Sequence, residues 1–572
     1  MKLPAMNSGM QIPLHPFAFS VFPVISLYAA NLGKGYLSEA IAIAAGLVVL
    51  VALLLLVVNL LTKQVSASAI ILTAFLVLFF SFGHIISTVA GILDWLGLSE
   101  HTQFLAEGES SLIVWLTIGA LLLVGVVRYV TNKAGRLGTL TQFLNIVALA
   151  LLAISGLNLA YNSVRFYVMP RLRAEMDSTV RQPSGIDHED AGMDELSSSS
   201  ALANKETSGE AEGVHEFVSS WQRNAPSERL TVSSPMPDIY YIVVDAYARG
   251  DILQTIFGYD NSAFINYLVD KGFYVASAST ANYPQTGLSL SSSLNMEYLD
   301  DTISQIGTYT SDRQPLAVMI KENKVSRLLR NSGYKLIAFD SGYDLTQIME
   351  ADRYLSPLMW IPSPFQEEFV MLTPLSVFRK TMTDFRRERI LYAFEHIPDV
   401  TEIEEPTFVF AHVQIPHYPF IFDADGRPIE PQRGTGRRED YEYDEYIEAY
   451  SGQLAFVSKQ LMATVNAILS RSPSPPIIII QSDHGPSAHL DPSWSYSDMN
   501  LSERLSILNA YLFPDQKYES LYKEISPVNT FRVVFNEYFG ADYELMDDRS
   551  YWATWDRPYY CIDVTGQLER EE

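Results

Sequence analysis

The sequence predicts a two-part protein: an N-terminal bundle of transmembrane helices followed by an exported soluble domain of the α/β class. Three observations predict it. The chain has 572 residues, more than one hydrophobic core usually supports. Up to about Met169 it is dominated by long uncharged runs of Leu, Val, Ala, Ile and Phe, after which it turns to a soluble composition rich in Asp, Glu and Tyr. In that second part, apolar runs short enough for buried strands alternate with helical stretches, the pattern of a sheet covered on both faces.

Hydrophobic stretches at 17–32, 40–61, 67–89, 112–130 and 140–159 predict an anchor over 1–173 of about five helices. A span needs about 20 apolar residues. The first stretch is short and carries Pro23, so it reads either as a span or as a kinked or re-entrant segment. It lacks a basic leader beyond Lys2 and is followed at once by further spans, which argues against a cleaved signal peptide. Lys63, Arg128, Lys133 and Arg136 fall in two loops, and Asp94, Glu100, Glu107 and Glu109 in the loop between them. By the positive-inside rule the basic loops stay in the cytoplasm, which puts the N-terminus inside and, after five spans, everything beyond Tyr161 outside. Arg165, Arg171 and Arg173 pull mildly the other way. His84 is the clearest ionisable residue within a span, and with no cluster around it the spans read as an anchor and not a transporter.

From 174 to 236 the chain is rich in Ser, Glu, Asp and Gly, including Ser197 to Ser200 in a row, and reads as a flexible tether that lets the head range over the membrane surface. The net charge of −26 sits mostly in the soluble part and argues against nucleic acid and against simple electrostatic adhesion to anionic lipid headgroups. A single cysteine, Cys561, excludes an internal disulfide framework.

The head, 237–572, opens on Asp238-Ile-Tyr-Tyr-Ile-Val-Val-Asp245, a run suited to a strand buried on both faces and ending in an acid. Pro476-Ile-Ile-Ile-Ile-Gln-Ser-Asp483-His484-Gly485 repeats the pattern, with a Gly turn after its acid and imidazole. Thr407-Phe-Val-Phe-Ala-His-Val413 is a third strand, running into Pro416-His417-Tyr-Pro-Phe420; His412, inside the strand pattern, reads as structural. The acidic, Tyr-rich stretch 439–450 reads as a solvated helix face. Ligands in α/β sheets gather at the C-terminal strand ends, so Asp245, Asp483, His484 and His417 are expected on one edge. Pro284 and Gly287 mark a turn before a helix that would start at Thr286. A hydroxyl there meets the positive helix end, which also favours a phosphate or sulfate.

Two carboxylates, an imidazole and a hydroxyl form an oxygen-rich set for one divalent cation, Mn or Zn, with Mg or Ca less favoured by the histidine. Coordination lowers the cost of a threonine alkoxide, so Thr286 becomes a candidate nucleophile toward phosphorus. His417 is a candidate for substrate binding or leaving-group protonation. Arg249 either clamps a phosphate or pairs with Asp251. His489 and Asp491 read as loop residues and not as a second metal site.

Val-Val-Asp245, the Tyr-Pro-Gln-Thr286 segment, Pro-His417-x-Pro-Phe and Ser-Asp483-His484-Gly resemble the sulfatase and alkaline phosphatase superfamily over roughly 237–540. The anchor plus exported head looks like lipoteichoic acid synthases and lipid A phosphoethanolamine transferases, and closer still like bacterial membrane-anchored sulfatase-like hydrolases or transferases. The resemblance implies a sulfatase/alkaline-phosphatase-like α/β domain, a metal held by Asp245, Thr286, Asp483 and His484, a phospho-threonine intermediate at Thr286, and substrate contact by His417. The sulfatase Cys/Ser-x-Pro-x-Arg pattern is missing near Thr286, and threonine cannot become formylglycine, which favours phosphoryl transfer or phosphodiester cleavage. Asp245 is followed by Ala246 where a second metal-binding acid is often found, which favours one metal. The expected function is a metal-dependent hydrolase or transferase acting on phosphoryl-linked or sulfate esters of envelope lipids or glycans. The alternatives are a sulfate or phosphonate ester hydrolase and a catalytically silent envelope-binding module.

Overall fold

The computed structural model describes residues 12–30, 37–96, 108–132, 137–163, 213–214, 216–221, 229–231, 236–357, 364–429, 438–490, 494 and 497–568. The basic loop residues Lys133 and Arg136, the acidic Glu100 and Glu107, Arg165, Arg171, Arg173, the Ser197–200 run and Asp491 lie outside the described residues. The chain divides into two compact units: Met1–Gln182 with Pro362–Met382, and Pro183–Ile361 with Thr383–Glu572.

Among the described residues, the first unit has six N-terminal helices: α1 (His15–Ala30), α2 (Leu37–Thr62), α3 (Val65–Phe80), α4 (Phe82–Trp95), α5 (Gly108–Asn132) and α6 (Leu137–Ser163). Three stretches within them, Glu39–Thr62, Ser110–Asn132 and Leu137–Ser163, are long and apolar enough to cross a bilayer. The expected span 67–89 is instead two helices, α3 and α4, bent by 65° to one another, which makes four spans if that pair counts as one. The 16-residue α1 is shorter than a full span. Large apolar side chains such as Leu53, Leu121 and Ile146 are exposed, as a lipid-facing surface requires.

Because lipid supplies no hydrophobic drive between helices, polar contacts count for more there. Helices α1 and α6 run side by side in the same direction. Asn145 accepts from the backbone of Leu14 and His15 at one end, Ser26 meets Ser155 at 2.7 Å midway, and Asn162 donates to the Ala29 carbonyl at the other. The Nδ1 of His15, buried in this seam, lies 2.6 Å from Thr73 Oγ1.

The second unit is built on a seven-stranded sheet: β1 (Ile239–Val244), β2 (Tyr274–Val275), β3 (Lys335–Phe339), β4 (Arg353–Leu355), β5 (Thr407–Val413), β6 (Ile477–Gln481) and β7 (Asn509–Leu512), in the order β2-β7-β6-β1-β5-β3-β4. Strands β6, β1, β5, β3 and β4 are parallel, and β7 and β2 add an antiparallel edge. Every residue of β1 is buried, as its unbroken apolar run predicts. Alternate side chains feed two cores. Tyr240, Ile242 and Val244 pack with Leu454, Val457 and Leu461, and Ile239, Tyr241 and Val243 pack with Phe531, Val534 and Phe535. A small hairpin, β8 (Tyr551–Thr554) and β9 (Arg557–Asp563), stands apart from the sheet.

Two expectations change here. The Tyr-rich stretch lies on a long helix, Tyr443–Arg471, with Tyr446 and Tyr450 fully buried, because their hydroxyls find backbone partners at Ser487 and Ala246. Part of the supposed tether is packed: Val214 and Phe217 are buried beside Leu288 and Tyr298, and the Trp221 indole donates to the Glu322 carbonyl at 3.1 Å. The aromatic and aliphatic residues scattered among its serines and acids hold it there.

Candidate metal centre and nucleophile

Parallel register brings the site together. Val243 on β1 pairs with Gln481 on β6 and with His412 on β5. Asp245 and Asp483 each lie two residues further along, so both acids leave the sheet at the same level and on the same face, one step above His412. Past Asp245 the chain turns sharply through Ala246, which holds a φ of +64°. That conformation is costly for a residue with a Cβ, and two contacts secure it. The Ala246 amide donates to Asp483 Oδ1 at 3.3 Å, and the Tyr450 hydroxyl donates to the Ala246 carbonyl at 2.9 Å. The Asp245 carbonyl in turn accepts from the His417 amide at 3.1 Å, tying the Pro-bracketed loop of His417 to the same strand end.

Thr286 is the first residue of helix Thr286–Ser293, as the turn at Pro284 predicts. Its Oγ1 lies 3.2 Å from His484 Nε2. The same nitrogen is 3.4 Å from Asp483 Oδ2 and 3.6 Å from Asp245 Oδ1. His484 Nδ1 faces the Gly485 carbonyl at 2.9 Å and must be its protonated nitrogen, which leaves the Nε2 lone pair pointing at the cluster. Asp245, Asp483 and His484 are buried, whereas Thr286 and His417 are partly exposed. His417 Nδ1 is engaged by the Tyr418 carbonyl at 2.6 Å, which leaves Nε2 free of that bond.

Two residues join the site that sequence reasoning missed. His412 places Nε2 3.6 Å from Asp245 Oδ2, while its Nδ1 meets Thr346 Oγ1 at 3.0 Å. Arg504, buried, donates to the Pro284 carbonyl at 2.8 Å and to the Gly485 carbonyl at 2.8 Å, and its guanidinium lies 3.1 Å from His484 Nε2. It therefore fastens the Thr286 loop to the Asp483-His484 loop. Arg249 goes elsewhere: it makes a two-pronged bond of 2.7 Å to each Asp251 oxygen and a third to the Ser279 carbonyl. Of the two roles open to Arg249, the pairing with Asp251 is the one found. His489 pairs with buried Glu503 at 2.8 Å.

Buried carboxylates cost several kcal/mol unless paired. Asp245 Oδ1, Asp483 Oδ2 and His412 Nε2 are all buried without a hydrogen-bond partner, and one ligand atom from each of these residues falls within 4.8 Å of the others. Donors about 2.1 Å from a shared centre sit roughly 3.4 Å apart in tetrahedral geometry, close to the 3.2–3.6 Å separations around His484 Nε2. The donor set and its orphaned oxygens fit a divalent cation. Burial alone would raise the Asp245 carboxyl, but the imidazoles of His417, His412 and His484 outweigh it and hold the group below the ordinary carboxylate range. Burial, with the Arg504 guanidinium beside it, pulls His484 down to about 4, so it is a neutral imidazole at neutral pH, the form able to ligate a cation.

By fold and site, then, this is a membrane-helix protein whose α/β unit carries a carboxylate, imidazole and hydroxyl cluster at the C-terminal ends of three adjoining strands. Its likeness among solved structures is to phosphoethanolamine transferases and sulfatases. The C-terminal periplasmic domain of EcEptC from Escherichia coli is 12% identical, with 59% of this chain and 96% of that one covered and a TM-score of 0.40. The integral membrane lipooligosaccharide phosphoethanolamine transferase A from Neisseria meningitidis is 11% identical over 91% of this chain and 94% of its own, with a TM-score of 0.39. BT1596, a 2-O GAG sulfatase, is 14% identical over 56% of this chain and 78% of its own, with a TM-score of 0.37. No family model and no curated protein matches the chain. Identities this low leave the chemistry to the site's own residues.

Proposed function

We propose that the chain is a multi-pass enzyme of the bacterial inner membrane that transfers or hydrolyses a phosphoryl-linked ester on an envelope lipid or glycan, with Thr286 as nucleophile. One observation carries this reading: a partly exposed hydroxyl at a helix start, 3.2 Å from an imidazole that two buried carboxylates approach within 3.6 Å. Asp245, Asp483, His484 and Thr286 would hold the ion, with His412 behind them. Bound there, a single divalent cation, Mn or Zn for this mixed donor set, would lower the cost of the threonine alkoxide and neutralise charge on the transferring group's oxygens.

The remaining work falls to the chain. The amides of the first turn of helix Thr286–Ser293 lack intrahelical partners and favour an anionic group beside Thr286. Thr286, partly exposed, gives its proton to water, and its Oγ forms a bond to phosphorus as the bond to the leaving oxygen breaks. His417, its Nδ1 held by Tyr418, presents Nε2 to return a proton to that oxygen. Attack by water or an acceptor hydroxyl on the phospho-threonine then frees Thr286. Sulfate ester chemistry is the less favoured reading, because a threonine supplies no formylglycine.

The test is intact-mass spectrometry of the full-length protein after incubation with envelope lipids and Mn or Zn. A mass increment on wild type and none on Thr286→Ala is expected, and its size names the transferred group. Equal increments on both proteins, or turnover that survives in Thr286→Ala, would remove Thr286 from the mechanism.

A further inference from the structure

The membrane unit contains a piece of chain that the sequence places in the middle of the head. Between strands β4 and β5 the helix Pro364–Met371 and the 3-10 turn Pro374–Phe378 belong with the N-terminal helices and not with the sheet. Phe365 is 4% exposed, packed among Val24, Leu27 and Ala40, with its ring 6.3 Å from that of Tyr28. Phe369 lies with its ring 5.9 Å from that of Phe80. The 3-10 turn lies against α5, and Leu372 and Leu375 beside it are exposed. Phe365 and Phe369, one turn apart, fall on the same side of this helix.

All of these contacts lie at one end of the bundle. Leu27 and Tyr28 are in the last turns of α1, Ala40, Ile43 and Ala44 in the first turns of α2, and Phe80 closes α3. The end of α6, from which the chain departs toward the head, is at the same place, because Asn162 bonds the Ala29 carbonyl there. Departure and return thus share one side of the membrane, which a coherent topology demands.

We propose that Pro364–Phe378 is a second membrane anchor of the head, a stitch that holds it to the bundle by Phe365 and Phe369 independently of the linker 174–236. The chain passes between the two units three times, not once. The partner of the stitch is the outer end of helices α1, α2 and α3, together with the lipid around Leu372 and Leu375.

The test uses the full-length protein in native membranes, with a site-specific protease sequence inserted at the Ser197–Ser200 run. After cleavage, the fragment carrying the head is expected to sediment with the membranes through a high-salt wash, which removes proteins held by exposed charges alone. Its release into the supernatant would overturn the proposal without any mutation in the packed segment. The cut Phe365→Glu/Phe369→Glu protein is expected to release its head, while the uncut variant still sediments. A cut double variant that stays on the membrane would overturn the assignment to these two rings. Neither arm reads activity, so the outcome stands apart from the catalytic reading.

Discussion

Gly485 follows the site's imidazole, and the structure requires a glycine there for space and not for an unusual backbone angle. A Cβ on this residue would lie 2.0 Å from the Glu503 carbonyl oxygen, 3.1 Å from the carbon that bears it and 3.2 Å from the Arg504 carbonyl carbon. All three are backbone atoms, so no side chain can swing aside. Gly485→Ala must therefore push its turn away from the last turn of helix Asp498–Leu505, which carries Glu503 and Arg504, by roughly 1 Å or more, against a packed interior where overfilling costs about 1–3 kcal/mol. The same movement stretches the buried bond from the Gly485 amide to the Arg504 carbonyl, 2.7 Å long. Leaving that pair unsatisfied costs about 1–3 kcal/mol more. The expected loss is about 2–6 kcal/mol in chemical denaturation of the metal-free protein. Displacement of His484 by about 1 Å should also cut turnover on the order of a hundredfold, and titration calorimetry should show weaker metal binding. A Gly485→Ala protein within about 0.5 kcal/mol of wild type, the range of an ordinary surface change, and with unaltered metal affinity would refute this contact between the Gly485 turn and the end of helix Asp498–Leu505.

Arg504→Lys should fail to replace the arginine, because a point charge cannot reach the Pro284 and Gly485 carbonyls together; a fall in kcat with KM nearly unchanged, and a stability loss of about 3 kcal/mol, would mark it as a positioning residue. His412→Ala should lower metal affinity by about 10- to 100-fold, and unchanged affinity by calorimetry would return His412 to the purely structural role its strand position suggests. For His484, the folded value is depressed from 6.5 to about 4, so between those pH values the unfolded chain binds a proton that the folded one refuses. Stability is therefore complete above pH 6.5 and is lost as pH falls toward 4, on the order of 3 kcal/mol in all. Denaturation midpoints of metal-free wild type should drop further from pH 7 to pH 5 than those of His484→Gln, and parallel drops would contradict the burial argument.

Much of this molecule can be read from its residues, and the reasons are physical. Ile477–Gln481 and Ile239–Val244 announce themselves because a strand buried on both faces is an unbroken apolar run, and an acid directly after such a run stands at the sheet's working edge. Thr286 was legible because Pro284 and Gly287 punctuate the approach to its helix. His412 was not, because an imidazole inside an alternating strand looks like core; only the register, which sets it one step below Asp245, gives it a chemical neighbour. Arg504 lies far along the chain from Pro284, and no local pattern links them. The stretch 439–450 misled because acids and tyrosines at helical spacing describe a wet face equally well. The decisive fact, that the Tyr450 hydroxyl supports the strained Ala246, is a long-range contact. The broken span at Ser81 and the stitch at 364–378 were missed for the opposite reason: both are short, and hydropathy averaged over a window hides them.

The position of β1 in the sheet has a consequence for how this protein is made. Its two neighbours are β5 and β6, residues 407–413 and 477–481, so the first strand of the head to be synthesised waits with both edges open until most of the head has emerged. Pairing so distant in sequence is slow, and an apolar strand with bare edges invites association with other chains. A ribosome that stops short of Gln481 leaves no partial catalyst, only an anchored chain displaying a sticky segment, which makes this head a natural client for quality-control proteases and chaperones on the side of the membrane where it folds.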